Sequence, residues 1–434
     1  MPHVGRGPVH FSLAQLHLAG SPRGLFVPNQ YSSNMPDSAA TSPSSFTARR
    51  LPRSALWRAR IATMAVFFVS GMLYASWGVN IPTVRDKFAL DAAQLSVALF
   101  AVAGGSIAAM LRVGSWLAKV GTRRAYLIAG PAMGISASLV LTMPSYIALL
   151  AMLALFGVTM ATVDVAMNAE ASAIENAAAK PIMSSLHGMW SVGGMGGAAA
   201  GAALLGLGIA PELHMAVVSL IATAVLLATR GLALPHVAEK RHPPQPGKPR
   251  SGSRDLVLLG SVALIALIAE GAMYDWTSVY MHDIVLTSPA FAGIAYASFS
   301  AGMAIARFAG DWVRARLGAP QLVGMSALLA CAGIVIALLL PFPYIVLTGF
   351  TLMGLGMANM MPVLFAAAAN VKGVRAAQGL ARVAGTAYVG LLVGPVLIGG
   401  VAQATTLPIG LSVVALCAAL VAVVGPRILK RVGL

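Results

Sequence analysis

Residues 411–424 read LSVVALCAALVAVV, and residues 128–143 read IAGPAMGISASLVLTM. Neither stretch carries a charge, and in neither does polarity alternate from one residue to the next. A strand of a membrane barrel needs that alternation, with one face on lipid and the other on the lumen. A long unbroken apolar run suits a helix, which meets its backbone hydrogen bonds within itself. The rest of the chain agrees. Of 434 residues, 58% are hydrophobic and only 10% charged, and the mean hydropathy is +0.82. A soluble domain carries about a quarter charged residues, so this chain could not cover a water-facing surface. The composition points to an all-α membrane protein and away from a soluble enzyme.

A span needs roughly 20 mainly apolar residues. On that measure spans are expected near 58–80, 94–115, 124–143, 145–168, 184–208, 214–234, 256–281, 289–312, 320–340, 343–369, 378–402 and 407–426. Pro82, Pro144, Pro211, Pro289 and Pro341 mark several of the breaks. Four segments follow: a Pro-, Ser- and Gly-rich cytoplasmic tail over 1–56, a first six-helix half over 57–234, a flexible linker over 235–255, and a second half over 256–434. The first 34 residues either belong to the tail or precede a true start at Met35.

The net charge of +16 resembles that of a nucleic-acid binder. Here, however, the basic residues fall in short gaps between apolar runs, which makes them a topology signal. Arg49, Arg50, Arg53, Arg58 and Arg60 precede the first span, and Lys119, Arg123 and Arg124 follow the second. The linker carries Lys240, Arg241, Lys248, Arg250 and Arg254, and the chain ends on Arg427, Lys430 and Arg431. Only Arg85 and Lys87 fall on the other side. The positive-inside rule then places both termini and the linker in the cytoplasm.

The halves repeat. Gly121 and Gly318 lie 197 residues apart, as do Gly157 and Gly354, Met160-Ala161 and Met357-Ala358, and Gly193 and Gly390. A drift of three residues aligns Gly71 and Tyr74 with Gly271 and Tyr274. Duplicated halves enclosing a site at the membrane midplane are a transporter design, because one half can rock against the other.

Few acids fall inside the spans, and an ionisable group there faces a cavity or a partner. Glu270 sits at the middle of the seventh span with Tyr274 one turn on, followed by Asp275 and Trp276. Glu270 is the first candidate for proton coupling or for hydrogen-bonding a solute; its alternative is a structural carboxyl bonded to the next helix. Asp164, Asn168 and His187 sit about the turn between the fourth and fifth spans, either as a gate or as a packing cluster. Asn359 and Pro362 suggest a kink with a solute contact in the tenth span. Arg307 and Asp311, four apart, read as an ion pair within the eighth helix that latches the adjacent loop. The glycines of the fifth and eleventh spans read as close-packing positions, and Trp77 and Tyr280 as interface anchors.

Cys331 and Cys417 both fall in spans and read as small buried apolar groups. No Gly-rich loop ending in Gly-Lys-Ser/Thr occurs, and no His/Cys set has metal-ligand spacing. No cofactor or metal is therefore expected, and the energy source is an ion gradient unless the protein is a passive uniporter.

Residues 114–124, GSWLAKVGTRR, resemble the loop between spans two and three of the major facilitator superfamily, although Ala118 stands where that motif has Asp. A second, degenerate copy runs from Gly310-Asp311 to Gly318. The stretches 164–168 (DVAMN), 181–188 (PIMSSLHG), 269–276 (AEGAMYDW) and 358–365 (ANMMPVLF) resemble the rhizopine-transporter-like (MosC-like) branch. The resemblance covers about residues 56–430 and implies a bundle of 12 transmembrane helices in two pseudo-symmetric six-helix halves. It also implies a secondary transporter of the bacterial inner membrane. The expected partners are a small polar organic solute (sugar- or inositol-like), a proton and the lipid bilayer, with no nucleic acid and the chain a monomer. Two other readings stand beside it: proton-driven efflux of amphipathic drugs, and a solute sensor that does not transport.

Overall fold

The seventh helix of the bundle shows how the local sequence sets the architecture. Residues 254–283 hold a long apolar run closed by His282 and Asp283, and the helix lasts as long as the run does. In the computed structural model, residues 52–178, 182–234, 253–374 and 376–433 are described, without the side chains of Ser253, Asp311, Ala315, Ala376 and Ala377. The expected tail up to Leu51 and most of the expected linker lie outside these residues, as does the side chain needed for an Arg307–Asp311 pair.

Among the described residues the chain is helices and short connections, with no strand. Helices α1 (Arg53–Val79) and α2 (Ile81–Phe88) together make the first crossing, broken at Asn80. Then come α3 (Ala92–Val120), α4 (Thr122–Leu139), α5 (Tyr146–Ala178), α6 (Met183–Gly206) and α7 (Pro211–Thr229). The second set is α8 (Ser253–Asp283), α9 (Pro289–Leu317), α10 (Ala319–Leu339), α11 (Pro343–Met357) with α12 (Met360–Ala369), α13 (Ala376–Ala404) and α14 (Leu407–Val432). Eleven of these segments are long and apolar enough to cross a membrane. The twelfth crossing is α6, 24 residues long and rich in glycine, a residue that adds little hydropathy.

The 197-residue repeat is visible in three dimensions. Gly121 ends α3 at φ 77°, ψ 161°, and Gly318 ends α9 at φ 73°, ψ 164°. Both occupy the left-handed side of the map, which a side chain would resist. The packing repeats as well. A methyl added at Gly157 would run into the Val102 carbonyl, and one at Gly354 into the Phe299 carbonyl. Gly105 abuts the Ala154 carbonyl as Gly302 abuts that of Thr351. Each of these residues lies 197 from its counterpart, so α3 packs on α5 as α9 packs on α11. Small residues let such backbones approach closely where no hydrophobic effect drives helices together.

Two aromatic residues sit differently from the sequence expectation. Trp77 and Tyr280 are 1% and 0% exposed, and neither is an interface anchor. Tyr280 donates its hydroxyl to the Ala337 carbonyl at 3.0 Å, a contact inside the second set that local sequence does not reveal. The cysteines are both free, with Cys417 buried.

At the end of the bundle opposite the two ends of the described chain, side chains tie the two sets together. Arg85 on α2 forms an ion pair with Asp283 on α8. His282 bonds Asp283 at 3.0 Å and lies 4.0 Å from Asp86. Beside them the Ala93 N–H donates to Gln403 Oε1 at 3.3 Å, joining α3 to α13.

Candidate functional site

Glu270 and Arg307 define the centre. Arg307, on α9, reaches two other helices at once. Its Nη2 donates to Glu270 Oε1 on α8 at 3.2 Å. Its Nη1 donates to Ser191 Oγ at 2.6 Å and to the His187 carbonyl at 3.3 Å, both on α6. Both side chains of the ion pair are close to nine-tenths buried. Arg307 therefore bridges the two helix sets inside the bundle, a role the sequence reading of a local Arg307–Asp311 latch did not anticipate; the Asp311 side chain lies outside the described residues. A guanidinium has five donors in a fixed fork, which is what allows it to serve a carboxylate and a neighbouring helix together.

Tyr274, one turn beyond Glu270, faces the same pair. Its ring is the hub of an aromatic cluster. Phe299 lies 5.1 Å away, Trp190 5.4 Å, Tyr296 5.6 Å and Tyr74 6.2 Å, measured between ring centres. Tyr74 and Trp190 belong to the first set, Tyr296 and Phe299 to the second. Tyr74 and Tyr274, aligned by the repeat, meet edge to face across the seam. Glycines make room for this: Gly78 lies against the Tyr296 ring, and Gly71 lets α1 close on the Trp190 carbonyl.

Asp275 is 8% exposed, and no hydrogen bond or ion pair reaches it among the described residues. The expected group of Asp164, Asn168 and His187 separates into two. Asn168 Nδ2 donates to Asp164 Oδ1 at 3.2 Å. The His187 ring instead packs edge-on to Phe67 at 5.2 Å. Tyr388 on α13 lies within electrostatic reach of both Asp164 on α5 and Glu270 on α8. Asn359 sits at the break between α11 and α12, where it donates to the Ala306 carbonyl at 3.2 Å, and its amide oxygen lies against Gly310. Its polar groups are turned to α9.

Sequence reading missed Ser191, Trp190, Tyr296, Phe299 and Tyr388. The one local signal for the Arg307 pairing was charge: an isolated base and an isolated acid in consecutive spans, each costly alone in hydrocarbon. Among the described residues no cluster of His, Cys, Asp and Glu could hold a metal ion.

The comparisons with known proteins complete the geometry. The model of the Major Facilitator Superfamily matches residues 62–285. An uncharacterized MFS-type transporter from Yersinia pestis is 32% identical over 357 residues, covering 82% of this chain and 92% of the relative. The chain belongs to the Major Facilitator Superfamily. Membrane protein MosC of Rhizobium meliloti is 30% identical over 346 residues, covering 79% of this chain and 83% of that protein. Among solved structures, a mutant of the nucleoside transporter NupG superposes with a TM-score of 0.68 at 12% identity, covering 87% of this chain and all of that one. A bacterial homolog of the human lysosomal transporter Spinster gives 0.63 at 14% identity, with 86% and 95% covered. These two likenesses show the fold.

As a member of this superfamily the protein is a multi-pass membrane transporter that acts on a small molecule. The last turn of α3 carries Ala118 where the resembled motif has Asp, and Arg123, in the first turn of α4, has a defined role. Arg123 Nε and Nη2 donate to the Ala233 carbonyl at 3.0 and 2.7 Å. The next residue, Leu234, gives its N–H to Glu170 on α5 at 2.5 Å. The chain leaving α7 is thereby fastened to α4 and α5 by charged groups at both ends of one peptide.

Proposed function

We propose that the protein is a proton-coupled secondary transporter that moves a small polar organic solute, sugar- or inositol-like, by alternating access. The terminal face would lie in the cytoplasm of a bacterial inner membrane, as the Lys and Arg distribution suggests. The observation carrying the reading is the Arg307 bridge. One guanidinium is shared between Glu270 in the second set and Ser191 with the His187 carbonyl in the first. A proton on Glu270 removes the charge opposite Arg307, leaving it held by α6 alone. Loss of that proton draws it back to α8. Protonation of one carboxyl thus changes the attraction between the two halves, which is the link a coupled carrier needs. The Arg85–Asp283 tie at the far end would hold one side shut in this arrangement.

The aromatic cluster around Tyr274 favours one second reading, export of amphipathic compounds, because clustered rings offer apolar contact to flat solutes. Both readings are tested in inverted membrane vesicles with a panel of polyols, sugars and amphipathic dyes, with and without a proton gradient. Glu270→Gln should lose gradient-driven accumulation and keep exchange of solute for solute. Full accumulation in that variant would reject the coupling role, and movement of dyes alone would favour export.

A further inference from the structure

Among the described residues, the acids along α8 are matched with one exception. The helix carries four acids: Asp255, Glu270, Asp275 and Asp283. Asp255 pairs with Arg431 on α14, Glu270 with Arg307 on α9, and Asp283 with Arg85 on α2. Three acids have three arginines from three different helices. Among the described residues Asp275 has none, although it is 8% exposed and so is as buried as Glu270. A buried carboxylate without a counter-charge is costly in any protein interior and more so in a membrane.

What surrounds Asp275 is suited to a cation that the protein does not itself supply. The phenols of Tyr74 and Tyr296 both lie within electrostatic reach of it. These two rings belong to the cluster that joins Tyr274, Trp190 and Phe299. Aromatic faces attract organic ammonium groups through the ring quadrupole. Two fully buried hydroxyls on α9, those of Tyr296 and Ser300, also lack hydrogen-bond partners among the described residues. A bare metal cation prefers several oxygen ligands at close range, which a wall of rings does not offer.

We infer that Asp275 is the counter-ion for a protonated amine on the transported solute, with the Tyr74, Tyr274, Tyr296 and Trp190 rings forming the wall of its site. The inference rests on the transporter reading and narrows its solute class to small organic ammonium compounds. It separates the duties of the two central carboxyls. Glu270 is occupied by Arg307 and handles the proton, while Asp275 is left for the cargo.

The test is equilibrium binding to the full chain in lipid nanodiscs without any gradient, so that a failure of proton coupling leaves the result readable. The probes are ethanolamine, choline, glucosamine and tyramine, each beside a neutral isostere (ethylene glycol, 3,3-dimethylbutanol, glucose and tyrosol). Sodium chloride is compared with potassium chloride. Binding is read by thermal shift and by tryptophan fluorescence, for which Trp190 is the neighbouring reporter. At least one ammonium probe should bind and its isostere should not. Asp275→Asn should weaken that binding about 30-fold or more, the usual scale for removing a buried counter-charge, and Asp275→Glu should recover part of it. Without ligand, Asp275→Asn should unfold no earlier than the parent, because it removes an unmatched charge. The inference is overturned if isosteres bind as well as amines, if sodium alone shifts the transition, if no ammonium probe binds, or if Asp275→Asn binds unchanged.

Discussion

Arg307 shows how much one side chain can connect. Its fork holds Glu270 on α8 and Ser191 on α6 from a position on α9. Removing one partner of a buried ion pair leaves the other charge stranded, at a cost of about 3–5 kcal/mol. Arg307→Ala should therefore lower the thermal midpoint of the purified protein markedly. The double variant Glu270→Gln with Arg307→Gln should recover most of that loss, since neither charge is then left alone. Additive losses would mean that the two residues act independently. Arg307→Lys should recover little, because one ammonium on a flexible stem cannot reproduce contacts to both helices. At this scale the acid was legible in the sequence and its partner was not. Glu270 stands out as a charge in an apolar run, whereas the neighbouring Arg307 and Asp311 suggested a local pair. The helix turns Arg307 toward α8 and α6, a direction set by packing and not by spacing.

Among the helices, the paired seams give the sharpest expectation. Gly157 and Gly354 hold equivalent places, each against a carbonyl of the helix it crosses. A methyl there cannot be absorbed by a flexible side chain, so the helices must separate. Overpacking of this kind costs about 1–3 kcal/mol. Gly157→Ala and Gly354→Ala should thus destabilise by similar amounts in thermal unfolding. A large loss at one site and none at the other would show that the halves do not share this seam. Helix existence and the repeat were readable because apolar length and small-residue spacing are local properties. The end of α1 at Asn80, two residues before Pro82, was readable for the same reason, whereas the burial of Trp77 was not, since it depends on which helix lies alongside.

For the whole molecule, the far-end ties govern how the halves separate. The Arg85–Asp283 pair is partly exposed, with 32% of the Arg85 side chain accessible. Such pairs contribute about 1 kcal/mol or less to stability. Arg85→Ala should consequently leave the melting temperature nearly unchanged while lengthening distances between the far ends of α3 and α13. Spin labels at Gln94 and Gln403 would report that change in double electron–electron resonance. Distances identical to the parent would show that the tie does not hold the halves together. What the sequence determined by itself was the solvent of this protein, the count and order of its crossings and the two-fold repeat. Each follows from apolar length and from residues at fixed intervals, which do not require knowledge of neighbours. Only the tertiary structure decided that Arg307 serves Glu270, that four rings from three helices meet around Tyr274, and that among the described residues Asp275 alone of the α8 acids lacks a counter-charge. Those facts depend on side chains from distant stretches meeting in a low-dielectric interior, and no interval along the chain encodes which of them will face each other.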